Sequence, residues 1–201
     1  LLADSENIYF GAKAAHPAME NVRTMPPAPC CVKEAVEVYF VPDGGTFDYY
    51  QFLMAFDGTK FAMYYSEGGN IKPDPFGPLW DMKTVETDGG WSVEARIPLS
   101  AFYMTRAGKW KGSWRINSAR CCRNVTPEKK VDYSCWADGK GFSDVPHFPL
   151  IGGFPARRAE DDVFIKSVIA EVKEPNRNGG LNATLKFSVF VDKPGSFEVK
   201  T

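Results

Sequence analysis

Residues 89–102 constrain the fold most, because their side chains alternate between apolar and polar with a period of two. The apolar positions are Trp91, Val93, Ala95 and Ile97, and the polar positions between them are Ser92, Glu94 and Arg96. A β-strand with one buried face has this period, since successive side chains point to opposite faces of a sheet. Asp88-Gly89-Gly90 in front forms a turn, and Pro98, which has no N–H to donate, ends the pattern. The stretch therefore predicts a half-buried strand.

Short segments with the same alternation recur along the chain, with turn residues between them. They predict strands at residues 7–15, 35–41, 49–56, 60–65, 80–86, 113–120 and 133–136. Asp57-Gly58 lies between two of these segments, and this dipeptide is a strong signal for a β-hairpin. Residues 100–102 are predicted to make one helical turn, and no longer segment has the 3.6-residue period of an amphipathic helix. Many short strands separated by turns favour an all-β fold, an antiparallel two-sheet β-sandwich.

The composition changes at residues 154–158, which are Phe-Pro-Ala-Arg-Arg. Beyond this point, strand-like runs follow at residues 163–172, 181–191 and 197–200. Three strands do not close a core without a second sheet. We therefore predict a β-sandwich over residues 1–157 and a C-terminal β segment over residues 158–201. This segment is interpreted as the start of an immunoglobulin-like module or as an appendage lying on the first domain.

Composition and charge exclude several classes of protein. Hydrophobic residues make up 44% and aromatic residues 14% of the chain, which is enough for a packed core. The net charge is −1 and no Lys/Arg run interleaves with aromatic residues, which argues against a nucleic-acid partner. No apolar run approaches the roughly 18 residues of a membrane span. Because the first residue is Leu1 rather than Met, we expect the numbering to begin inside a longer gene product with further domains.

The cysteines and histidines lack the spacing of a metal or catalytic site. Two adjacent pairs, Cys30-Cys31 and Cys121-Cys122, accompany a single Cys135. Adjacent thiols rarely both reach one tetrahedral zinc ion, so these residues are interpreted as small buried hydrophobes, with one disulfide between the pairs left open. Neither His16 nor His147 lies in a triad-like or zinc-binding pattern. No metal ligand is assigned from the sequence.

Two carboxylates and several tryptophans support functional hypotheses. Glu37 and Glu94 lie on predicted strands with polar outward faces, which raises the hypothesis of a glycosidase with paired carboxylates. Nothing in the sequence sets their separation, so structural or ligand hydrogen bonding is the favoured role. Trp80 follows a Gly/Pro-rich segment and Trp110 lies between lysines, so both are candidate exposed platforms for a ligand. The other tryptophans, Trp91, Trp114 and Trp136, are interpreted as core residues.

Several strand motifs occur together in a specific order. They are EAVEVYF at residues 34–40, GWSVEARIP at residues 90–98, WRIN at residues 114–117, SCW at residues 134–136, and Phe148. Together they resemble carbohydrate-binding module family 9 over roughly residues 5–154, and GWSVEARIP is the most specific piece. The resemblance implies a jelly-roll-like β-sandwich of the kind found on secreted xylanases and related glycan-acting proteins. The family's opening segment, with a conserved Trp, has no counterpart here.

In that family, two tryptophans clamp the end of a sugar chain, and polar groups on neighbouring strands hydrogen-bond to it. The first clamp tryptophan corresponds to Cys31 in this chain, and the second corresponds to Phe142. An arginine of the family corresponds to Leu53. The polar positions that match are Glu37, Gln51 and Asn117. The resemblance therefore implies a sugar site whose aromatic clamp is degenerate.

The function implied by the resemblance is that of a non-catalytic carbohydrate-binding module in a bacterial glycan-processing protein, secreted, periplasmic or at the cell surface. Its partner is expected to be a polysaccharide or oligosaccharide, bound by Glu37, Gln51, Asn117, Phe142 and Trp80. Relatives often hold structural calcium, so calcium is the one cofactor expected, without assigned ligands. The alternative is a structural or docking spacer with no sugar site. An open groove with an exposed Trp favours binding; an inward Phe142 and a buried Cys31 favour the spacer.

Overall fold

The computed structural model describes residues 1–65, 74–75, 80–102, 110–126, 130–156, 163–173 and 182–191. The strands are β1 (Leu2–Ala3), β2 (Asn7–Ala15), β3 (Ala35–Val41), β4 (Tyr49–Ala55), β5 (Lys60–Tyr65), β6 (Asp74–Pro75), β7 (Asp81–Thr87), β8 (Gly90–Pro98), β9 (Ser113–Arg123), β10 (Val131–Cys135), β11 (Leu150–Gly152), β12 (Val163–Lys173) and β13 (Asn182–Val191). A short helix, α1 (Met19–Arg23), and turns of 3-10 helix at Cys30–Val32, Leu99–Ala101 and Val145–His147 lie between them. Within these ranges, no helix is long and apolar enough to cross a membrane.

The first eleven strands form two antiparallel sheets. One sheet has the order β1-β2-β8-β7, and the larger sheet has the order β10-β9-β3-β4-β5-β6, with β11 also paired to β9. Apolar side chains from both sheets belong to one buried cluster, so the sheets enclose a shared core. The predicted all-β, antiparallel two-sheet sandwich is therefore confirmed. The predicted strands at residues 35–41 and 60–65 coincide with β3 and β5.

Strand β8 contributes the central part of the core, as its alternation predicts. It lies between β2 and β7, and its buried residues are Trp91, Val93, Ala95 and Ile97. Trp91 is 0% exposed and shares the cluster with Phe40 and Phe52 of the larger sheet. The prediction that Trp91 is buried in a sheet interior is confirmed.

Trp136 lies outside the core, and the interpretation that it is a core residue is wrong. Its side chain is 57% exposed, whereas Trp91 and Trp114 are fully buried. Trp136 directly follows β10, an outer strand of the larger sheet, and its N–H donates to the carbonyl of Ser118 at 2.8 Å. Most side chains of β10 are exposed as well. The place of this strand at the edge of the sheet, which its alternation does not reveal, leaves the ring in solvent.

A buried carboxylate, Glu34, ties the two sheets together just before β3. It is 1% exposed, and it accepts hydrogen bonds from Nε1 of Trp91 on β8 at 3.0 Å and from a guanidinium nitrogen of Arg120 on β9 at 2.8 Å. The backbone N–H of Arg123 donates to its other oxygen at 2.7 Å. A buried charge is tolerated when it is paired and hydrogen-bonded, and both conditions hold here. Glu34 therefore holds β8 in place against β9.

The C-terminal segment contains a separate hairpin of β12 and β13. The two strands pair from Val163 opposite Val191 to Lys173 opposite Asn182, with one irregularity between Ile165 and Ser167. They match the strands predicted at residues 163–172 and 181–191, and the predicted strand at residues 197–200 lies outside the described residues. The domain boundary after residue 157 and the immunoglobulin-like identity of the segment stay predictions.

Deleting residues 159–201 is expected to leave the melting temperature of the sandwich nearly unchanged. Strands β12 and β13 form a two-stranded sheet of their own, so in the described part of the chain they extend neither sandwich sheet. A unit that folds separately adds little to the cooperative unfolding of its neighbour. Calorimetry on the truncated and full chains checks this. A large drop in melting temperature would show instead that the segment completes the sandwich.

Candidate functional site

Polar side chains gather on the outer face of the larger sheet. Along β3, the core takes Val36, Val38 and Phe40, so Glu37 and Tyr39 point to the other face. The register places Tyr39 opposite Gln51 on β4 and opposite Asn117 on β9. The structure thus brings together three residues that the resemblance marks as polar site positions, Glu37, Gln51 and Asn117.

Two segments cover this face on either side of Glu37. Residues 137–148 cover one side, where Ala137, Val145 and Phe148 pack in a cluster with Tyr39, Val41 and Tyr49. On the other side, Cys30 packs in a cluster with Ala35, Leu53 and Ala55. Gln51 stays half-buried between the two covers. We use the name Glu37 cleft for this part of the face, with Glu37 and Gln51 on its strands and Tyr65 and Phe142 packed beside them.

The floor of the Glu37 cleft is a hydrogen-bonded network. Oε2 of Glu37 accepts bonds from the hydroxyl of Tyr39 and, at 2.7 Å, from Nε2 of Gln51. Oε1 lies 3.4 Å from the thiol sulfur of Cys121. Glu37 is only 4% exposed, whereas Gln51 is partly exposed. The carboxylate therefore orients the amide of Gln51, and Gln51 is the one residue of this network that is not buried.

The same network keeps its neighbouring donors protonated. Burial, together with the negative charge of Glu37, raises the pKa of the Cys121 thiol to about 12. Burial and the same charge also raise the pKa of Tyr39 well above its ordinary value. Both groups therefore remain neutral near pH 7, and each can donate a hydrogen bond to Glu37. Because its pKa is raised, Cys121 is not an activated nucleophile.

Two partly buried aromatic rings of the cleft, Phe142 and Tyr65, pack against the apolar cluster of Tyr39 and Tyr49. Phe142 meets the exposed ring of Tyr133 edge to face, with centroids 5.6 Å apart. Tyr65 of β5 stacks on Tyr49, with centroids 4.6 Å apart and the rings 14° from parallel. Sequence reasoning missed Tyr65 and Tyr133. The alternation of β5, which sends Tyr64 to the core and Tyr65 outward, was the available signal.

Asn117 has a different role from the one predicted. It is fully buried, its Nδ2 donates to the carbonyl of Phe142 at 2.9 Å, and its Oδ1 accepts from the N–H of Ala137 at 2.9 Å. The same Nδ2 lies 2.9 Å from the sulfur of Cys135. These bonds occupy both ends of the amide. The assignment of Asn117 as a direct ligand contact is therefore corrected: it anchors the loop that carries Phe142.

The prediction of Trp80 as an exposed ligand platform is wrong. Its ring is buried in the core, where it meets Phe52 edge to face at a centroid distance of 5.3 Å. The ammonium group of Lys60 lies over the same ring, 5.0 Å from its centroid. Trp110 is also partly buried, and its Nε1 donates to the carbonyl of Phe102 at 3.1 Å. Both rings turn inward, because the core between the sheets provides them with aromatic partners.

Glu37 and Glu94 cannot form a pair of catalytic carboxylates. Glu37 is on the outer face of the larger sheet, whereas Glu94 is exposed on the outer face of the smaller one, between the core residues Val93 and Ala95. Packed sheets are about 10 Å apart, and both side chains point outward from them. Glycosidase carboxylates lie within about 5–9.5 Å of each other. The hypothesis of a paired-carboxylate glycosidase is therefore wrong.

A buried cluster of metal-ligand types, His16, Glu34 and Cys122, does not fit a metal ion. Its candidate ligand atoms lie within 4.8 Å of one another. However, Nδ1 of His16 accepts a bond from the N–H of Ala18 at 3.0 Å, which places the proton on Nε2. That proton is donated to the carbonyl of Arg123 at 2.7 Å. Neither ring nitrogen has a lone pair left for a metal. Calcium stays an expectation of the resemblance.

The five cysteines are all free thiols. The cysteines were interpreted as small buried hydrophobes. Cys30, Cys121 and Cys122 are indeed buried, and Cys135 is partly buried. Cys31 is exposed. The resemblance expects a tryptophan at the position of Cys31, which directly follows the buried Cys30 that packs on this sheet face.

The overall arrangement of strands resembles that of two solved structures. Both are of a carbohydrate binding module family 9 from Caldicellulosiruptor kristjanssonii. The complex with cellotriose gives a TM-score of 0.51 at 16% identity and covers 75% of this chain and 71% of that chain. The complex with glucose gives 0.50 at 15% identity, with 75% and 72% covered. The chain has the fold of a family 9 module.

The sequence comparisons add no closer relative. No protein-family model matches the chain. No curated protein matches it in sequence either. The family 9 likeness therefore concerns the fold, and the function has to be argued from the Glu37 cleft.

Proposed function

We propose that this domain is a non-catalytic carbohydrate-binding module that holds a sugar in the Glu37 cleft. The observation that carries the proposal is that Gln51, a partly exposed residue, has its amide oriented by a buried carboxylate on the sheet face where Phe142 and Tyr65 also pack. A pyranose ring has an apolar C–H face and a rim of hydroxyls, so it needs an aromatic surface beside fixed polar groups. The two solved structures of the same fold are complexes with cellotriose and with glucose.

Within this proposal, Gln51 makes the direct polar contact and Glu37 acts through it. The carboxylate of Glu37 already accepts bonds from Tyr39 and Gln51 and lies beside the Cys121 thiol. An ionised carboxylate has about four lone-pair positions, so little capacity remains for a ligand. Its main effect is to hold Gln51 in one orientation, which lowers the entropic cost of binding a sugar hydroxyl.

Tyr65 is proposed as the second aromatic surface, in place of the tryptophan that corresponds to Cys31. Its stacking on Tyr49 holds the ring in position. Phe142 is held by its contact with Tyr133 and by the bond from Asn117 to its carbonyl. Phenyl and phenol rings offer a smaller surface than indoles. We therefore propose a weak module, with dissociation constants of about 1 mM for short sugars.

The cellular setting follows from the proposed binding role. We propose that the domain belongs to a secreted, periplasmic or cell-surface protein of a bacterium that processes glycans, with further domains in the same parent chain. A binding module raises the local concentration of a polymer at such domains, which makes weak affinity sufficient.

Replacing Phe142 or Gln51 with Ala is expected to weaken binding of glucose and cellotriose. Loss of one stacking surface costs roughly 1–3 kcal/mol in nucleic-acid systems, which here predicts roughly fivefold to a hundredfold weaker binding. Both residues are partly exposed, so the variants are expected to stay folded. Isothermal titration calorimetry of the full chain measures the change. Glu37→Gln is expected to weaken binding as well and to lower the free energy of unfolding by about 1–3 kcal/mol. The NH2 group of the new glutamine would face groups that donate hydrogen bonds to Glu37 in the wild type.

Trp136→Ala is the matched control. It removes an exposed aromatic ring directly after β10, at a residue that is not part of the Glu37 cleft. This variant is expected to bind like the wild type. Equal affinities for wild type, Phe142→Ala and Gln51→Ala would remove the Glu37 cleft as the sugar site.

A spacer domain without a sugar site is the second candidate function. The 4% exposure of Glu37 favours it, as does Leu53 at the position of the family's arginine. The exposed Cys31 and the half-buried Phe142 favour an open cleft instead. If the wild type binds neither glucose nor cellotriose in calorimetry, the spacer becomes the better description.

A further inference from the structure

A groove of about 610 Å3 lies on the outer face of the smaller sheet, on the opposite side of the sandwich from the Glu37 cleft. Side chains of β2, β7 and β8 line it in two rows set by the strand register, and Leu1 and Leu2 also border it. Tyr9, Arg96 and Asp81 form one row, and Gly11, Glu94 and Lys83 form the other. We call it the Gly11 groove. Its volume falls in the range of roughly 300–1,000 Å3 that is usual for small-molecule sites.

The floor of the groove is a glycine that the fold does not require. Gly11 lies in the middle of β2, where glycine weakens a strand. Its φ is not positive, and a Cβ placed on it would meet only the carbonyl oxygen of Val93, at 3.9 Å. Gly90 on the neighbouring strand is different, because a Cβ there would lie 2.2 Å from the carbonyl oxygen of Ala14. Close packing against β2 therefore requires a glycine at position 90. No such contact requires one at position 11, where the glycine leaves open space on the surface of the sheet.

One wall of the groove is an aromatic ring in a fixed position. The side chain of Tyr9 is 38% exposed, and its hydroxyl donates to Oδ2 of Asp4 at 2.9 Å. Asp4 is itself held, since its Oδ1 accepts from the backbone N–H groups of Glu6 at 2.8 Å and Asn7 at 2.6 Å. A ring held at its hydroxyl presents its face with little loss of freedom on binding.

The charges around the groove balance one another. A guanidinium nitrogen of Arg96 lies 2.5 Å from a carboxylate oxygen of Asp81, and Glu94 lies opposite Lys83 in the strand register. Two acids and two bases give no net charge, so the groove selects neither an anion nor a cation. It does offer several acceptors and donors on strand positions in and next to the row of Tyr9. A neutral polyhydroxyl ligand matches this combination.

We propose that the Gly11 groove is a second saccharide site, which takes a neutral sugar over Gly11 with its C–H face against Tyr9. The hydroxyls of the sugar form hydrogen bonds with the side chains of Glu94, Lys83 and Arg96. The site is independent of the Glu37 cleft, because the two lie on opposite faces of the sandwich.

Gly11→Thr is the decisive variant. A β-branched residue suits a strand, so the melting temperature is expected to stay the same or rise, while the new side chain projects into the groove where the sugar ring would lie. Cellotriose and glucose are titrated into nitrogen-15-labelled full-length chain, with backbone amide shifts followed by NMR. Wild type is expected to show shifts at Gly11, Lys83 and Glu94. Gly11→Thr is expected to abolish them, and Tyr9→Ala to weaken the binding at this site roughly fivefold to a hundredfold.

Two further variants separate this site from the cleft. Val85→Thr changes an exposed residue of the same sheet that does not line the groove, and it is expected to leave the shifts intact. Gln51→Ala is expected to leave them intact as well, even if it abolishes binding in the Glu37 cleft. Wild type without shifts at the groove residues with either sugar would overturn the proposal. Unchanged shifts in both Gly11→Thr and Tyr9→Ala would overturn it too.

Discussion

Replacing Trp91 with Ala is expected to lower the free energy of unfolding by about 3–5 kcal/mol. The indole is 0% exposed and meets Phe56 edge to face, with centroids 6.0 Å apart. Its removal leaves a cavity in the core between the two sheets, under the interior strand β8. It also leaves Glu34 without the hydrogen bond that Nε1 donates at 3.0 Å. Equilibrium unfolding in urea, monitored by circular dichroism, measures the change.

Trp136→Ala serves as the control for size and residue type. Its ring is 57% exposed, and surface substitutions usually change stability by about 0.5 kcal/mol or less. Trp91→Phe separates the two contributions, because it retains an aromatic ring but removes the donor to Glu34. If Trp91→Ala and Trp136→Ala gave equal losses, the assignment of Trp91 to the core would be wrong.

Replacing Glu34 with Ala is expected to be similarly severe, at about 3–5 kcal/mol. Arg120, whose side chain is 21% exposed, loses the carboxylate that neutralises it at 2.8 Å. The N–H groups of Trp91 and Arg123 lose their acceptor as well. Buried groups that lose their partners keep the cost of their desolvation without the compensating bond. Denaturant unfolding of this variant measures the loss.

Glu86→Ala is the matched control, since Glu86 also pairs with an arginine, Arg23, but at the surface. Solvent screens such pairs, so the free energy of unfolding is expected to remain nearly unchanged. A double variant of Glu34→Ala with Arg120→Met tests the mechanism. It is expected to recover part of the stability, because it removes the unpaired charge. No recovery would show that the loss comes from the hydrogen bonds of Trp91 and Arg123 alone.

Strand positions were predictable because they depend on local alternation. The pattern of Trp91, Val93, Ala95 and Ile97 identified both β8 and its buried face, and the structure confirms them. Alternation is a property of consecutive residues, so it can be read without knowledge of the partner strand. The same reasoning placed Glu37 on the face of β3 opposite to the core.

Exposure outside the centre of a strand was not predictable in the same way. Trp80 was predicted to be exposed but is buried, and Trp136 was predicted to be a core residue but is exposed. Both lie at strand ends, where the neighbouring segment rather than the alternation decides what covers the ring. Phe52 and Lys60 cover Trp80, whereas β10 is an outer strand and leaves Trp136 in solvent.

The sequence by itself determined that Glu37 and Gln51 share one face of an antiparallel sheet, since both are outward positions of consecutive strands. Only the tertiary structure decided which of them a ligand can reach. Residues 137–148 and Cys30 cover the face from two sides and bury Glu37 while Gln51 stays half-exposed. The same long-range packing turned Asn117 into an anchor for Phe142. Such contacts join residues far apart in the chain, and no local pattern encodes them.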